Sequence, residues 1–175
     1  MNHARQVAHL TGRLFDETQD LHKLSEHDAV LLEVASILHE VGNHISPRSH
    51  EIHGLYIIRH SEIFGLSDPD RLLVALITRY HRKATPQLSH PFYNKLSPDD
   101  RIRVAKLSAL LRVADALERT HSQRVKNLTV TIAEGKATLN LEGLVDASAE
   151  RLALPSKANL FENLYGLKVV LNETA

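Results

Sequence analysis

The 175-residue sequence contains no cysteine and no tryptophan. Without cysteine the chain cannot form a disulfide or a thiolate-bound metal site, so any metal would need histidine and carboxylate ligands. No apolar run approaches the ~18 residues of a membrane span, and the first residues, MNHARQ, lack the charged-then-apolar pattern of a signal peptide. These absences predict a cytoplasmic protein without a membrane partner.

The charges are balanced, and histidine is abundant. The chain has 21 Lys and Arg against 21 Asp and Glu, so we expect no nucleic-acid partner held by bulk attraction. Hydrophobic residues make up 43% of the chain, which is enough for a packed core. Of the 12 histidines, six fall between positions 39 and 81. Histidine is the commonest protein metal ligand and a frequent acid–base group, although a histidine-rich surface is the simpler explanation.

Apolar residues recur at helical spacing through the first two thirds of the chain. Ser25-Glu26-His27-Asp28 has the form of a capping box, and Gly42 suits a helix C-terminus. Pro69 and Pro98 suit the first turns of two further helices. The predicted helices are residues 3–21, Ser25 to Gly42, residues 50–64, Ser67 to Tyr80 and Ser97 to Leu117, with a loop over residues 84–96.

The pattern then changes to one typical of strands. Apolar and polar residues alternate on both sides of Glu134-Gly135, which predicts a β-hairpin. The predicted elements are strands over residues 128–132 and 139–141, a helix over 156–165 and a last strand over 167–171. The sequence therefore predicts a mainly α fold, with a helical bundle domain over residues 1–122 and a small α+β appendage (hairpin, helix, strand) over residues 123–175.

Several ionisable residues fall where the helices should be buried. In "SILHEVGNHIS", an apolar helix closes on His39 and Glu40; His3 shares the inward stripe of the first helix, and Asp115 interrupts the aliphatic "LLRVADALER". Such groups are costly to bury unless they are paired or bind a metal. Imidazole with carboxylate suits a zinc, manganese, iron, nickel or cobalt site, which can activate water or polarise a phosphoryl oxygen. Glu40 is either a ligand or the general base, and a metal-free polar network is the alternative.

These residues resemble the HD superfamily of metal-dependent phosphohydrolases, whose pattern is one His, an adjacent His-Asp pair and a distant Asp. His3, His39, Glu40 and Asp115 occupy those places, with Glu40 in place of the usual aspartate. The resemblance implies one or two divalent ions (Mn, Zn, Ni, Co, Fe or Mg). The second-metal ligands that it suggests are His53 and His81, with His50 as the replacement for His53 if the helix register shifts by one turn.

A closer resemblance covers nearly the whole chain. "LLEVASILHEVGNHIS", "SHEIHGLYIIRHSEIFGLS", "LITRYHRKATP", "LLRVADALERTHS" and "NLFENLYGLKVVL" are similar, in order and spacing, to the C-terminal part of the exopolyphosphatase/guanosine pentaphosphate phosphatase (Ppx/GppA) family. In that family His-Glu is the usual pair, and catalysis is assigned to actin-like domains with glycine-rich phosphate loops. This chain has only 7 glycines, none clustered. The resemblance thus implies that the actin-like half is supplied in trans or by a longer parent chain, and that this module binds phosphate chains and forms a homodimer.

A basic string, Arg79-Tyr80-His81-Arg82-Lys83, suits phosphate binding, since arginine offers paired donors to phosphate oxygens. We expect phosphate contacts from Arg79, Arg82, Lys83 and Arg48, although a solvated helix end would look the same. The remaining histidines are interpreted as surface residues or as residues without a clear partner: His9, His22, His27, His44, His60, His90 and His121.

Two functions follow from these observations. The first is a binding module for polyphosphate or a guanosine polyphosphate that lacks the catalytic half. The second is an autonomous metal-dependent phosphohydrolase acting on a phosphomonoester or phosphoanhydride. In the second, Arg79 and Arg82 would stabilise the charge that develops in the transition state.

Overall fold

The computed structural model describes residues 2–174, and this part of the chain is mainly α-helical with a small three-stranded sheet. The helices are α1 (Asn2–Glu17), α2 (Gln19–His22), α3 (Glu26–Leu38), α4 (His50–Arg59), α5 (Asp68–Arg79), α6 (Pro98–Leu117) and α7 (Ser148–Tyr165). The strands are β1 (Asn127–Ala133), β2 (Lys136–Glu142) and β3 (Lys168–Thr174), and short 3-10 turns span Val41–His44 and Tyr93–Lys95. The predicted fold class is confirmed.

Local capping chemistry fixes where several helices begin. The Ser25 hydroxyl accepts from the Asp28 N–H while the Asp28 carboxylate accepts from the Ser25 N–H, so the predicted capping box at α3 is confirmed. The Ser67 and Ser97 hydroxyls cap α5 and α6 by accepting from the N–H groups of Asp70 and Asp100, and each serine is followed by a proline in the first turn.

Three predicted helices are shorter or divided, and the one predicted to reach Gly42 ends at Leu38. The first predicted helix breaks at Thr18, whose hydroxyl donates to the Leu14 carbonyl at 2.6 Å. The helix predicted to reach residue 64 ends at Arg59, where the Ser61 hydroxyl donates to the Ile57 carbonyl. At Ser61 the hydroxyl takes the carbonyl that a further helical turn would use, because the Ser61 N–H donates to the Ile58 carbonyl instead. The Leu14 carbonyl accepts from both the N–H and the hydroxyl of Thr18.

The three-stranded sheet consists of an antiparallel hairpin, β1 and β2, and a parallel third strand, β3. β1 and β2 are antiparallel, with Leu128 opposite Leu141, and β3 lies parallel to β2 with Leu171 opposite Leu139. A parallel pair needs a crossover connection, which α7 supplies. α7 packs along α6, and β1 packs on α1, so the appendage covers one side of the bundle. The division at residues 122 and 123 into two domains stays a prediction.

The core centres on α6, whose Leu107, Leu110 and Leu111 are completely buried. α1, α3 and α5 pack around it, and α4 packs on α5. The first turn of α1, the end of α3 and the last turn of α6 meet at one end of this bundle. Among residues 2–174, no helix combines the length and the apolar content that crossing a lipid bilayer requires.

Candidate metal and phosphate site

Three of the predicted metal ligands converge at that end of the bundle. Nε2 of His3 and Nε2 of His39 each lie 3.6 Å from Oδ1 of Asp115. One potential ligand atom from each of these residues lies within 4.8 Å of the other two. His39 is completely buried and His3 is nearly so. Residues that are far apart in the sequence therefore form one compact His-His-Asp cluster.

Three of the four ring nitrogens in this cluster have no hydrogen-bond partner among the described residues. His39 Nδ1 donates to the Ser36 carbonyl at 2.7 Å, so a neutral His39 ring carries its lone pair on Nε2. That Nε2 and both ring nitrogens of His3 are buried without a hydrogen-bond partner among the described residues. Buried polar atoms without partners are unfavourable, and a metal-bound histidine characteristically donates its other ring N–H to a carbonyl or carboxylate. The three side chains therefore fit a divalent cation.

Asp115 is held ionised at this place. Burial raises the pKa of its carboxyl, but the adjacent rings of His3 and His39 and the Lys157 ammonium outweigh burial and hold that pKa well below its ordinary value. A carboxylate in the charged form is the state that binds a cation.

Glu40 lies in a second, more exposed group. Its carboxylate oxygen, a nitrogen of His3 and a nitrogen of His121 lie within 4.8 Å of one another. The His121 ring stacks on the His3 ring with a centroid distance of 3.7 Å. Glu40 therefore neighbours the His-His-Asp cluster through His3. His121, which the sequence suggested to be an ordinary surface residue, is exposed but contacts the site.

His50 and His81 form a direct pair beside the cluster. Their Nε2 atoms are 3.2 Å apart, and His81 Nδ1 donates to the Thr78 carbonyl at 2.6 Å. The neutral His81 ring therefore carries its lone pair on Nε2, while His50 Nδ1 lies 3.2 Å from both the Pro47 carbonyl and the Arg82 guanidinium. Burial lowers the pKa of His81 well below its ordinary value and also lowers the pKa of His50, which keeps both rings neutral near pH 7. His53, one turn further along α4, is not among the described residues that line this site.

A cavity of about 680 Å³ opens beside the cluster. Glu40 and Asp115 are its acidic residues, and Ala149, Leu152 and Ala153 of α7 form an apolar wall. The cationic side chains that line it are Arg82, Lys83, Arg119 and Lys157, together with the rings of His50, His81 and His121. The positive side chains outnumber the negative ones, which favours an anionic ligand.

The predicted phosphate-binding residues divide into two pairs. Arg82 and Lys83 line the cavity and are partly compensated by the buried Glu51, with Lys83 Nζ 3.1 Å from Glu51 Oε1. Arg48 and Arg79 are not among the described residues that line the cavity. The Arg79 guanidinium lies 5.9 Å from the centre of the Tyr80 ring.

Sequence reasoning missed Lys157 and Arg119. Lys157 Nζ donates to Asp115 Oδ2 and, at 2.9 Å, to the His81 carbonyl. Burial lowers the pKa of Lys157 while Asp115 opposes that effect. Arg119 lies just beyond α6 and is exposed in the cavity. No local pattern marks Lys157 as a site residue, because its position depends on how α7 packs against α6.

Comparisons with known proteins agree with one family. A family model described as Ppx/GppA phosphatase, domain III, matches residues 1–157. Similar curated proteins include the guanosine-5'-triphosphate,3'-diphosphate pyrophosphatases of Photobacterium profundum and Vibrio vulnificus. Both are 28% identical to this chain over 142 residues, which cover 80% of it. The chain spans only 27% and 28% of the length of these two relatives.

Proposed function

The chain belongs to the Ppx/GppA phosphatase family, in which it corresponds to domain III, and from that premise we propose that it binds phosphate-rich anions in the cavity beside Asp115. The ligand class is polyphosphate or a guanosine polyphosphate. The observation that carries the proposal is the cluster of four cationic side chains, Arg82, Lys83, Arg119 and Lys157, around one cavity.

The cationic groups differ in how freely they can meet a ligand. Arg119 is exposed and has no ion-pair partner within residues 2–174, so its guanidinium is the freest donor. The Arg82 guanidinium lies 3.2 Å from His50 Nδ1 and 4.0 Å from Glu51, and Lys83 is paired with Glu51. Guanidinium groups match phosphate oxygens with two parallel hydrogen bonds. Arg48 and Arg79 enter the proposal only for a phosphate chain long enough to leave the cavity.

We further propose that His3, His39 and Asp115 hold one divalent ion. The donor set of two imidazoles and a carboxylate suits manganese, iron, cobalt, nickel or zinc better than magnesium. When bound, such an ion supplies Lewis-acid chemistry, polarising a phosphoryl oxygen or lowering the pKa of water. The side chains of the protein hold the phosphate groups next to it.

A second function, metal-dependent phosphohydrolase, is favoured by the buried unpartnered nitrogens of His3 and His39. In that case Glu40, which lines the cavity, would accept a proton from the attacking water. His50 and His81, which line the cavity, would then be the ligands for a second ion in preference to His53. For the binding function, by contrast, we propose two partners: a second copy of this chain in a homodimer, and an actin-like phosphatase half in a longer parent chain or in trans.

Calorimetric titration with tripolyphosphate tests the binding function. We expect Arg119→Ala to weaken binding about tenfold, because a charge-assisted hydrogen bond contributes about 1.5–3 kcal/mol. Arg5→Ala is the matched control, since Arg5 is exposed and lies outside the cavity lining. Equal losses in the two variants, or no binding by the wild-type protein, would overturn the assignment of the cavity.

A phosphatase assay separates the second function from the first. Hydrolysis of p-nitrophenyl phosphate that requires added manganese and disappears in Asp115→Asn would support the enzyme. Tripolyphosphate binding without any such turnover would leave the module as the function of this chain.

A further inference from the structure

The Asp115 carboxylate is shared between two kinds of positive group. Its Oδ1 faces the Nε2 atoms of His3 and His39 at 3.6 Å, and its Oδ2 accepts from the Lys157 ammonium. The Lys157 side chain is only 16% exposed. A lysine amine thus already neutralises the only carboxylate of the His-His-Asp cluster.

Lys157 is held at this position from two sides. Its Nζ also donates to the His81 carbonyl at 2.9 Å, and its own backbone carbonyl accepts from Arg112 Nε at 3.1 Å. The ammonium therefore has two acceptors, and its backbone is anchored to α6 through Arg112.

A divalent ion on Oδ1 would be a near neighbour of that ammonium. Two positive charges bound to the two oxygens of one carboxylate repel each other strongly, because the Lys157 and Asp115 side chains are only 16% and 17% exposed to water. Each cation also loses part of its attraction to Asp115 when the other is present. The ion and the ammonium are consequently alternatives for one carboxylate.

We propose that Lys157 competes with a divalent cation for Asp115 and thereby sets the metal affinity of the site. This inference rests on the proposed metal site at His3, His39 and Asp115. In the absence of a metal, the Lys157 ammonium balances the negative charge of Asp115. Lys157 is thus a specificity-determining residue that decides which cation accompanies Asp115.

The test compares affinities for Co²⁺. The visible absorption of bound Co²⁺ measures the affinity, and elemental analysis after dialysis measures how much cobalt stays bound. We expect Lys157→Met to bind Co²⁺ at least about tenfold more tightly than the wild-type protein, because the competing charge is gone. Lys83→Met is the charge-matched comparison. It removes one ammonium from the same cavity, but that ammonium pairs with Glu51, so the affinity should stay within about threefold of wild type.

Two further variants serve as controls for charge and for folding. Lys157→Arg keeps the charge and should bind Co²⁺ as weakly as wild type; tight binding by Lys157→Arg would contradict competition by charge. If circular dichroism shows that Lys157→Met does not fold, Lys157→Gln replaces it, because an amide can still donate to Asp115 and to the His81 carbonyl.

The remaining outcomes separate this inference from the proposed function. Equal Co²⁺ affinity in wild type and Lys157→Met overturns the competition and leaves the metal site standing. No bound Co²⁺ in either protein overturns the metal site and the competition together, while tripolyphosphate binding, measured separately, still decides the function of the cavity.

Discussion

At the scale of single residues, His22 shows how a buried imidazole can be locked in one neutral form. It is completely buried at the end of α2. Its Nε2 donates to the Phe15 carbonyl at 2.8 Å, and its Nδ1 accepts from the Leu24 N–H at 3.0 Å. Burial lowers the pKa of His22. A second proton would have to sit on Nδ1, against the Leu24 N–H.

This arrangement predicts a pH-dependent stability. Because the folded-state pKa lies below the unfolded value of about 6.5, the unfolded chain binds the extra proton first. The stabilisation is therefore complete above about pH 6.5 and is lost as the pH falls below it, by at most about 1.4 kcal/mol per pH unit. Urea unfolding at about pH 7.5 and about pH 5.5 measures this loss.

The control isolates His22 from the other buried histidines. The pKa values of His50 and His81 are also lowered, so the wild-type slope contains their contributions. His22→Gln, which does not titrate, should lose less stability than wild type over the same interval. Identical losses in the two proteins would show that His22 does not carry the effect.

The sequence indicated which residues form the candidate site, but it did not indicate the hydrogen-bond partners of His22. Burial of their helix faces made His3, His39 and Asp115 candidates, and the resemblance to the HD pattern implied that the three share one site. It left His22 without a partner, because both partners are backbone atoms of Phe15 and Leu24 that no residue type specifies.

At the scale of elements, Gly42 allows the 3-10 turn Val41–His44 to cross α4. A Cβ atom at position 42 would collide with the His50 carbonyl and lie 2.6 Å from the Gly54 backbone nitrogen. The sequence suggested that Gly42 ends the central helix. That helix instead ends at Leu38, so the reason for glycine is the close approach of two backbones.

We expect Gly42→Ala to destabilise the fold by about 3 kcal/mol or more, because rigid backbone must move. Gly12→Ala is the matched control: Gly12 lies inside α1, and nothing comes within 4 Å of a Cβ there. Alanine favours helix by about 0.5–1 kcal/mol over glycine, so Gly12→Ala should stabilise the protein. Urea unfolding of the two variants checks this, and a wild-type midpoint for Gly42→Ala would refute the close-approach explanation.

The sequence did not predict where helix α7 begins. The starts of α3, α5 and α6 carry local serine caps, and the sequence located all three. The predicted helix at residue 156 begins eight residues earlier, at Ser148, and contains Pro155. Proline usually interrupts a helix interior. Here Leu154, Ala158 and Phe161 are buried, and α7 packs along α6, a contact that sequence periodicity does not reveal.

At the scale of the whole molecule, Arg112 joins the bundle to the appendage. This arginine is 1% exposed and lies in the middle of the bundle helix α6. Its guanidinium donates to the carbonyls of Tyr80, Ser156 and Lys157 and to the side chain of Asn159. It therefore connects α6, the end of α5 and α7, and all four of these acceptors are uncharged.

Arg112→Met should cost about 3–5 kcal/mol, because it leaves several buried acceptors without a donor. The loss should be unequal: amides in residues 123–175 should exchange with solvent more readily than those of α6. In the wild-type protein we expect both groups to exchange through one global unfolding reaction. Native-state hydrogen exchange measures the two groups in the same sample.

Two comparisons decide what Arg112 contributes. Arg71→Met removes an exposed pair with Asp68 and should cost no more than about 1 kcal/mol. Arg112→Lys keeps the positive charge but cannot form the same set of hydrogen bonds, so its stability should fall between wild type and Arg112→Met. If α6 and residues 123–175 still exchange together in Arg112→Met, apolar packing between α6 and α7 suffices to join them. Separate exchange in Arg112→Met would mean that the buried Arg112 guanidinium makes the predicted domains at 1–122 and 123–175 unfold as a single unit. Because Arg112 also donates to the Lys157 carbonyl, the same guanidinium would then hold Lys157 beside Asp115.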